Sequence, residues 1–195
     1  RDLLAADTLP RVRLTHVFRQ AQRSGVVTNA HRINAGHPPM TRGLADFFLF
    51  AEDDSEQVAD LVVDIVANRL PRRFGLDPRR EVQVLCPMHR GPAGAGVLNE
   101  RLQAALTPGR EGLAERRFGG RVYRVGDKVM QLRNNYDKGQ AGVFNGSVGV
   151  VTGVSLEDAE LRVLLDEDEE VGYGFDELDE LTHAYAVSIH RSQGS

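Results

Sequence analysis

The residues with the richest chemistry lie at the end of the chain, where a polar segment follows a short apolar stretch. Residues 190–195 (HRSQGS) combine an imidazole, a guanidinium, two hydroxyls and an amide with a glycine, and none of them is apolar. Residues 184–189 alternate small or apolar with polar side chains, as a half-buried strand does. In α/β proteins such a strand end presents backbone N–H groups and short side chains to phosphate. Composition alone favours a solvated loop, so the rest of the chain must decide.

A second candidate for phosphate contact follows another apolar run. Residues 87–96 (PMHRGPAGAG) place His89 and Arg90 in a glycine-rich loop ahead of a helical pattern, which suits close approach of a phosphate backbone. No Gly-Lys-Ser/Thr follows, so the loop cannot hold ATP as a P-loop does. The alternative is a tight loop whose glycines only satisfy turn geometry. On the following helix, Asn99 and Gln103 are candidate polar contacts.

Basic and aromatic side chains are interleaved between residues 121 and 144. Stacking on aromatic rings tolerates any base and cations bind the backbone, so this pattern indicates a platform for single-stranded nucleic acid. Lys128, Arg133 and Tyr136 are the predicted contacts. An ordinary β domain with a solvated basic face is the alternative. The residues that form the pattern are Arg121, Tyr123, Arg124, Lys128, Arg133, Tyr136, Lys138 and Phe144.

The elements that must position these residues change character near residue 120. Before it, strand and helix patterns alternate, which predicts a parallel sheet covered on both faces. The strands are predicted at 14–17, 46–50 and 81–87, and the helices at 24–35, 55–70 and 96–106. After it, short β-rich runs at 128–132, 147–154, 161–165 and 171–175 predict a small barrel, with a tight turn at Asn145-Gly146. The predicted domains are therefore 1–120, an inserted barrel at 121–180, and a return to the first domain at 181–195.

Charge is segregated along the chain. The net charge is −4, but residues 155–180 hold twelve acidic residues and one arginine, a balance of −11. The remainder has 23 basic and 16 acidic residues, a balance of +7, which is compatible with nucleic-acid binding. Cys86 is the only cysteine, so no internal disulfide can form, and a buried, inert thiol in a reducing compartment is expected. The histidine spacing predicts no metal site, and no apolar run approaches the roughly 20 residues of a membrane span.

Residues 190–195 resemble motif V of the superfamily 1 helicases, in the form seen in RecD-like enzymes. Three further stretches resemble the same family in the same order. Residues 14–38 contain the Phe-Arg-Gln core of the motif IV region. Residues 82–106 contain a strand, Pro-Met, a basic residue, glycine and then Leu-Asn-x-x-Leu-Gln. Residues 125–149 read GDKVMQ, NNY and VFNG, with Gln140-Ala141 as an insertion relative to the family. Four motifs in order cover most of the chain.

The resemblance implies an α/β fold: a RecA-like (P-loop NTPase-type) parallel-sheet domain with an inserted SH3-like β-barrel, the C-terminal motor domain of a 5′-to-3′ DNA helicase. It implies ATP with Mg²⁺ as cofactor, held mainly by a first RecA-like domain, and single-stranded DNA as partner. Arg19 would act on the γ-phosphate, with Gln20, Gln193 and Gly194 also at the nucleotide. His89, Arg90, His190, Arg191 and Ser192 would contact DNA. The family usually has Lys where this chain has Arg191. A cytoplasmic location is expected.

Two alternatives stay open. The chain contains neither a Walker A nor a Walker B motif and stops before motif VI, so this stretch alone is expected to be inactive. A non-catalytic nucleic-acid-binding or adaptor module with a degenerate helicase fold would show the same residues. A relaxase-linked conjugative helicase shares these motifs as well. A Walker A loop upstream, or relaxase tyrosine and histidine motifs there, would discriminate between them.

Overall fold

The computed structural model describes residues 24–166 and 168–192. The chain divides into two compact units, Arg1–Ala51 and Glu52–Ser195. The strand predicted at 14–17 lies outside the described residues, as do four predicted nucleotide contacts: Arg19, Gln20, Gln193 and Gly194.

The described part of the first unit contains helix α1 (Gly25–Asn34), which confirms the helix predicted at 24–35. Ser24 caps it, and the chain leaves it through Gly36, whose φ of 81° suits glycine. The strand predicted at 46–50 is wrong, since these described residues lie outside any helix or strand. Asp46 instead accepts hydrogen bonds from the Ser24 hydroxyl at 2.6 Å and the Gly25 N–H at 2.9 Å, which holds this segment at the start of α1.

The second unit begins with a continuous helical segment at the position predicted for 55–70. It consists of α2 (Ser55–Asp64), a π-helical stretch (Ile65–Arg69) and α3 (Leu70–Phe74). Asp54 caps it, because its carboxylate accepts from the N–H groups of Glu56 and Gln57. Gly75, in the left-handed conformation, ends the segment.

The α/β part of this unit is held together by strands from opposite ends of it. Strand β1 (Val84–Cys86) pairs in parallel with β9 (Ala186–Ser188), and β9 runs directly into the short helix α5 (Ile189–Ser192). Helix α4 (Ala95–Leu106) follows β1 and packs on the pair. Their shared core contains Ala59, Val66, Cys86, Ala95, Leu98, Leu102, Tyr185 and Ala186. The thiol of Cys86 is buried as expected, and burial raises its pKa.

A mostly antiparallel region lies between α4 and β9. Strands β2 (Glu115–Phe118) and β3 (Arg121–Arg124) form a hairpin. A five-stranded antiparallel sheet has the order β7-β6-β5-β4-β8. Its strands are β4 (Lys128–Gln131), β5 (Val148–Ser155), β6 (Glu160–Leu165), β7 (Glu170–Gly174) and β8 (Leu181–His183). Its core includes Tyr123, Val151, Leu161, Val163 and Tyr173.

The strands predicted at 128–132, 147–154, 161–165 and 171–175 each form within one residue of the predicted limits. The Asn145-Gly146 turn also forms, since Ser147 N donates to Phe144 O at 3.0 Å and Gly146 has a φ of 96°. In the described residues, however, the sheet ends at β7 and β8 without a ladder joining them, and β1 and β9 alone pair in parallel. The described residues therefore have a mixed α/β architecture. They show neither a closed barrel nor a complete RecA-like parallel sheet.

Candidate nucleic-acid-binding cleft

Helix α4 carries polar side chains on one face, and the first of them, Asn99, binds strand β9. The side chain of Asn99 accepts from the Ala186 N–H at 3.0 Å and donates to the Ala186 carbonyl at 2.8 Å. Two hydrogen bonds to one residue fix the position of β9 relative to the helix. They also fix where α5 begins, since α5 directly follows β9. Asn99 thus serves as a positioning residue rather than as the ligand contact predicted from the sequence.

Gln103 lies one turn further along α4, and Thr107 directly follows its last residue. Both bind a fully buried carboxylate, Asp127. Gln103 Nε2 donates to Asp127 Oδ2 at 2.7 Å and to Val122 O at 2.7 Å. The Thr107 hydroxyl donates to Asp127 Oδ1 at 2.5 Å. The Tyr185 hydroxyl donates to the same oxygen at 3.0 Å. Gln103, predicted as an exposed contact, is therefore buried and internally bonded.

The remaining capacity of Asp127 is also used. The backbone N–H of Arg124 donates to it at 2.8 Å, and His183 Nε2 lies 3.3 Å from Oδ2. Burial raises the pKa of Asp127, but the hydrogen bonds from His183 and Thr107 outweigh it, so the pKa lies below its ordinary value. Burial raises the pKa of Tyr185, as does the neighbouring Asp127 charge. We call Gln103, Thr107, Asp127, His183 and Tyr185 the junction cluster, since it joins α4, β4, β8 and β9.

The loops after β1 and β9 and a turn before β5 surround an open cavity of about 540 Å³, here called the cleft. His89 comes from the first loop, His190 and Arg191 from α5, and Asn145 and Gly146 from the turn. The carboxyl ends of parallel strands meet at one edge of a sheet, which explains why residues a hundred positions apart in sequence converge. Of the described residues that line the cleft, none is acidic. The cleft therefore offers an electrostatic environment suited to an anion.

An aromatic pair lies beside the cleft. Tyr136 is 71% exposed and Phe144 is 45% exposed, and their ring centroids are 5.9 Å apart in an edge-to-face arrangement. Asn134 connects this pair to the cleft, because it donates to the Tyr136 hydroxyl at 3.1 Å and accepts from the Asn145 N–H at 2.9 Å. An exposed aromatic pair next to a cationic cavity is an arrangement on which bases can stack.

The glycine-rich loop after β1 presents side chains rather than backbone donors. The N–H groups of Gly94, Ala95 and Gly96 donate to carbonyls of the same loop at 3.0–3.1 Å. A Cβ at Gly94 would collide with the carbonyl of Arg90, so this compact loop requires glycine there. The start of α4 is thus capped by its own loop, and His89 is the group that reaches the cleft. Arg90 is exposed but is not among the lining residues.

The prediction of a basic and aromatic face between residues 121 and 144 needs correction. Lys128 is only 4% exposed, and its ammonium donates to the Val82 carbonyl at 2.8 Å, so we remove it from the predicted DNA contacts. Burial lowers its pKa, opposed by the charges of Asp166 and Asp77. A strand residue with alternating neighbours gives no sequence signal that another loop covers its side chain.

Three other members of that face are also engaged internally. Arg133 is half-exposed but binds Glu180 at 3.1 Å and Asp179 at 3.2 Å. Lys138 binds Glu177 at 2.9 Å and lies over the ring of Tyr173. The aromatic ring of Tyr123 is fully buried. Of the three contacts predicted in this region, Tyr136 is the one that the structure exposes beside the cleft.

Of the predicted contacts in α5, His190 and Arg191 line the cleft, and Ser192 is partly buried and is not among the lining residues. The N–H of Arg191 donates to the Ser188 hydroxyl at 3.3 Å, and the Ser192 hydroxyl donates to the Ile189 carbonyl at 2.9 Å. His190 and Arg191 are both exposed. The structure thus brings together His89, His190 and Arg191, which the sequence analysis predicted, with the Asn145 turn, which it treated only as a turn.

Within the part of the chain that the structure describes, no cluster of three His, Cys, Asp or Glu residues could hold a metal ion. No helix in that part is long and apolar enough to cross a membrane.

Comparison with solved structures finds a similar fold in a helicase structure. The crystal structure of the Pif1 helicase from Bacteroides, in complex with ADP-AlF3 and ssDNA, matches with a TM-score of 0.50 and 21% sequence identity. The match covers 94% of this chain and 43% of that chain. At this identity the likeness concerns the fold alone.

Two sequence matches are to RecD-like DNA helicases. Residues 98–165 match the SH3 domain family of ATP-dependent RecD-like DNA helicases. The whole chain is 33% identical over 194 residues to the ATP-dependent RecD2 DNA helicase of Deinococcus radiodurans, which covers 99% of this chain and 24% of the relative. These matches confirm the resemblance to RecD-like DNA helicases that the four motifs indicate. The chain spans about a quarter of the length of that relative.

Proposed function

We propose that this chain is the C-terminal motor-domain portion of an ATP-dependent, 5′-to-3′ DNA helicase of the RecD type. In the longer protein it supplies one wall of the ATP cleft and part of the track for single-stranded DNA. The observation that carries the proposal is the cleft, where His89, His190 and Arg191 meet the Asn145 turn beside the Tyr136 ring.

The composition of the cleft supports single-stranded DNA as the ligand. Guanidinium and imidazole groups attract the phosphate backbone, and an exposed aromatic pair can stack on any base. Arg191 presents a planar fork of donors that matches phosphate oxygens. The exclusion of acidic side chains from the described lining, in a chain of net charge −4, is what such a ligand requires. The Pif1 helicase with the similar fold is in complex with ssDNA.

The nucleotide role is proposed on motifs IV and V. Arg19 would stabilise negative charge on the transferring γ-phosphoryl group, with Gln20, Gln193 and Gly194 around the nucleotide. ATP and Mg²⁺ would be held mainly by a first RecA-like domain, which is the partner of this one. Because α5 contains both His190 and Arg191 and leads directly to Gln193, one segment would connect the DNA contacts to the ATP contacts.

Arg19→Ala in the longer helicase tests the ATP role. We expect ATP turnover to fall by about 10³-fold or more, because a missing γ-phosphate arginine removes stabilisation of the transition state. Arg162→Ala, which removes an arginine from β6, is the matched control and should leave turnover unchanged. A near-normal rate in Arg19→Ala would exclude Arg19 from the ATP site. The 195-residue chain alone, which contains no Walker A motif, should hydrolyse no ATP.

A salt titration of a labelled single-stranded oligonucleotide against the 195-residue chain tests the DNA role. The affinity falls as salt rises, so the slope of log affinity against log salt is negative. Removing one cation that binds phosphate should reduce the magnitude of this slope by about 0.7. Arg191→Ala should show this decrease and Glu169→Ala should not. An unchanged slope in Arg191→Ala would contradict the cleft as the DNA site. DNA binding in a longer protein that hydrolyses no ATP would favour the adaptor module instead.

A further inference from the structure

A second cationic surface lies on the β2–β3 hairpin, away from the cleft. Residues 116–126 contain four arginines and no acidic residue. The acidic residues on either side are already engaged: Asp127 is buried in the junction cluster, and Glu115 binds the guanidinium of Arg124 at 3.0 Å. Glu115 is thus shared by two of the four arginines, Arg117 and Arg124, and the hairpin keeps a net positive charge.

The tip of the hairpin is open. Gly119 and Gly120 form a two-residue turn with φ of 54° and 78°, and a Cβ built at either position would meet no atom within 4 Å. Positive φ at both positions is what a tight hairpin turn requires, so glycine has a conformational reason there. As a consequence, the tip consists of two residues without side chains, Gly119 and Gly120, between Phe118 and Arg121.

The two faces of the hairpin have different environments. Arg116 pairs with Tyr123, and this face packs on the core of the sheet, where the Tyr123 hydroxyl donates to Leu181 O at 2.8 Å. Arg117 pairs with Val122 on the opposite face, and its side chain is 81% exposed. Its nearest carboxylate is that of Glu115, whose Oε1 lies 3.6 Å from the Arg117 guanidinium while Oε2 binds Arg124 at 3.0 Å. Arg121, next to the turn, pairs with Phe118 on the face of Tyr123, and its side chain approaches the Tyr123 hydroxyl. Arg121 is nevertheless exposed, so the two arginines flank the tip from opposite faces.

The hairpin is anchored to the same helix as the cleft but further along it. The Val122 carbonyl accepts from Gln103, whereas the cleft is lined by Ala95 and Asn99. Ala95 and Gln103 are eight residues apart, about 12 Å along the helix axis. The hairpin is thus a second, separate surface on a rigid base, since Gln103 and Tyr123, which anchor it, are both buried.

We propose that the tip of the β2–β3 hairpin, formed by Arg117, Gly119, Gly120 and Arg121, binds the phosphate backbone of nucleic acid. Guanidinium groups bind phosphate through paired hydrogen bonds, and a tip without side chains allows the backbone to approach closely. Protein interfaces concentrate their binding energy in buried aromatic and arginine anchors, but the aromatic residue of the tip, Phe118, packs against the core instead. The inference rests on the proposed function only for the class of ligand. The phosphates could belong to a single strand or to a duplex arm.

The test is a salt titration of the 195-residue chain against three labelled DNAs: a single strand, a blunt duplex, and a duplex with a single-stranded arm. We expect the double variant Arg117→Gln/Arg121→Gln to lower the slope by up to about 1.4 on single-stranded DNA or about 1.8 on duplex DNA. The DNA on which the decrease occurs identifies the source of the phosphates. Unchanged slopes on all three DNAs would overturn the proposal.

Arg162→Gln is the matched control, because this arginine lies in β6, is 51% exposed, and has its carboxylate neighbour Glu160 also at 3.6 Å. Arg191→Ala in the same titration reports on the cleft, so failure of the hairpin proposal and failure of the cleft proposal are distinguishable. A thermal melt of each variant checks folding. If the double variant does not fold, the single variant Arg117→Gln, at the more exposed position, gives the answer, with an expected decrease of about 0.7 or 0.9.

Discussion

The junction cluster and the cleft use similar polar side chains, but their polar atoms have different surroundings. In the junction cluster, Gln103 and Thr107 are buried, and both contact the Asp127 carboxylate. In the cleft, His190 and Arg191 are exposed and line an open cavity. A buried polar group must find its partner within the protein, whereas an exposed cation can exchange water for a ligand. Substitutions should therefore affect stability in the first region and binding in the second.

Helix α4 connects the two regions. Asn99, Gln103 and Thr107 lie at intervals of four residues, so they share one face of the helix. The first fixes β9 beside the cleft, and the other two bind Asp127. The orientation of the cleft thus depends on a helix whose other polar contacts are buried against the antiparallel region.

The largest expected effect is on stability, from Asp127→Ala. This change leaves the donors of Gln103, Thr107 and Tyr185 buried without their acceptor, and breaking a buried charged network costs about 3–5 kcal/mol. Urea denaturation should show a decrease of that size in the free energy of unfolding. Glu157→Ala, in the exposed β5–β6 turn, is the control. A decrease below about 1 kcal/mol is typical of a surface change. It would mean that the junction cluster does not hold helix α4 and the antiparallel region together.

The same carboxylate predicts a pH dependence. Because the folded pKa of Asp127 lies below its unfolded value of about 3.9, its contribution is complete above that value and is lost as pH falls through the folded pKa. The free energy of unfolding should therefore decrease below about pH 4, and less steeply in Asp127→Asn. The measurement is the urea midpoint at several pH values. Parallel curves for the two proteins would assign the acid sensitivity to other groups.

Local periodicity predicted the elements of this fold well, and long-range contacts explain the errors. Helix α4 and strand β6 each begin only one residue before the predicted start. The prediction is this close because helical and alternating apolar patterns are visible within a few residues. The strand prediction for 46–50 was wrong because Asp46 binds the start of α1, a contact 21 residues away in sequence.

The candidate site was predicted in part for the same reason. His89, His190 and Arg191 follow strand patterns, and the rule for parallel sheets brings strand ends together. The junction cluster was missed, although the spacing of Asn99, Gln103 and Thr107 is a readable signal for a buried polar stripe. What the sequence could not reveal is that Asp127, from another element, lies opposite that stripe.

An intermediate effect is expected from Tyr136→Ala, now on binding rather than stability. Loss of stacking on one base weakens binding by about 1–3 kcal/mol, which is about 5- to 150-fold in affinity for a single-stranded oligonucleotide. The side chain is 71% exposed, so the melting temperature should hardly change. Tyr136→Phe keeps the ring and should retain most of the affinity. If both variants bind as the parent chain does, the aromatic pair lies outside the DNA track.

The smallest effect expected is that of Lys128→Met on the salt dependence of DNA binding. A lysine in a basic, aromatic sequence is expected to contact phosphate, but this ammonium is buried and donates to the Val82 carbonyl. Methionine fills a similar volume without the charge, so the slope of log affinity against log salt should stay as in the parent chain. In the same titration Arg191→Ala should lower it by about 0.7. A comparable decrease in Lys128→Met, with an unchanged melting temperature, would mean that Lys128 leaves its buried position to reach DNA. Burial would then not distinguish side chains that stabilise the fold from those that bind DNA.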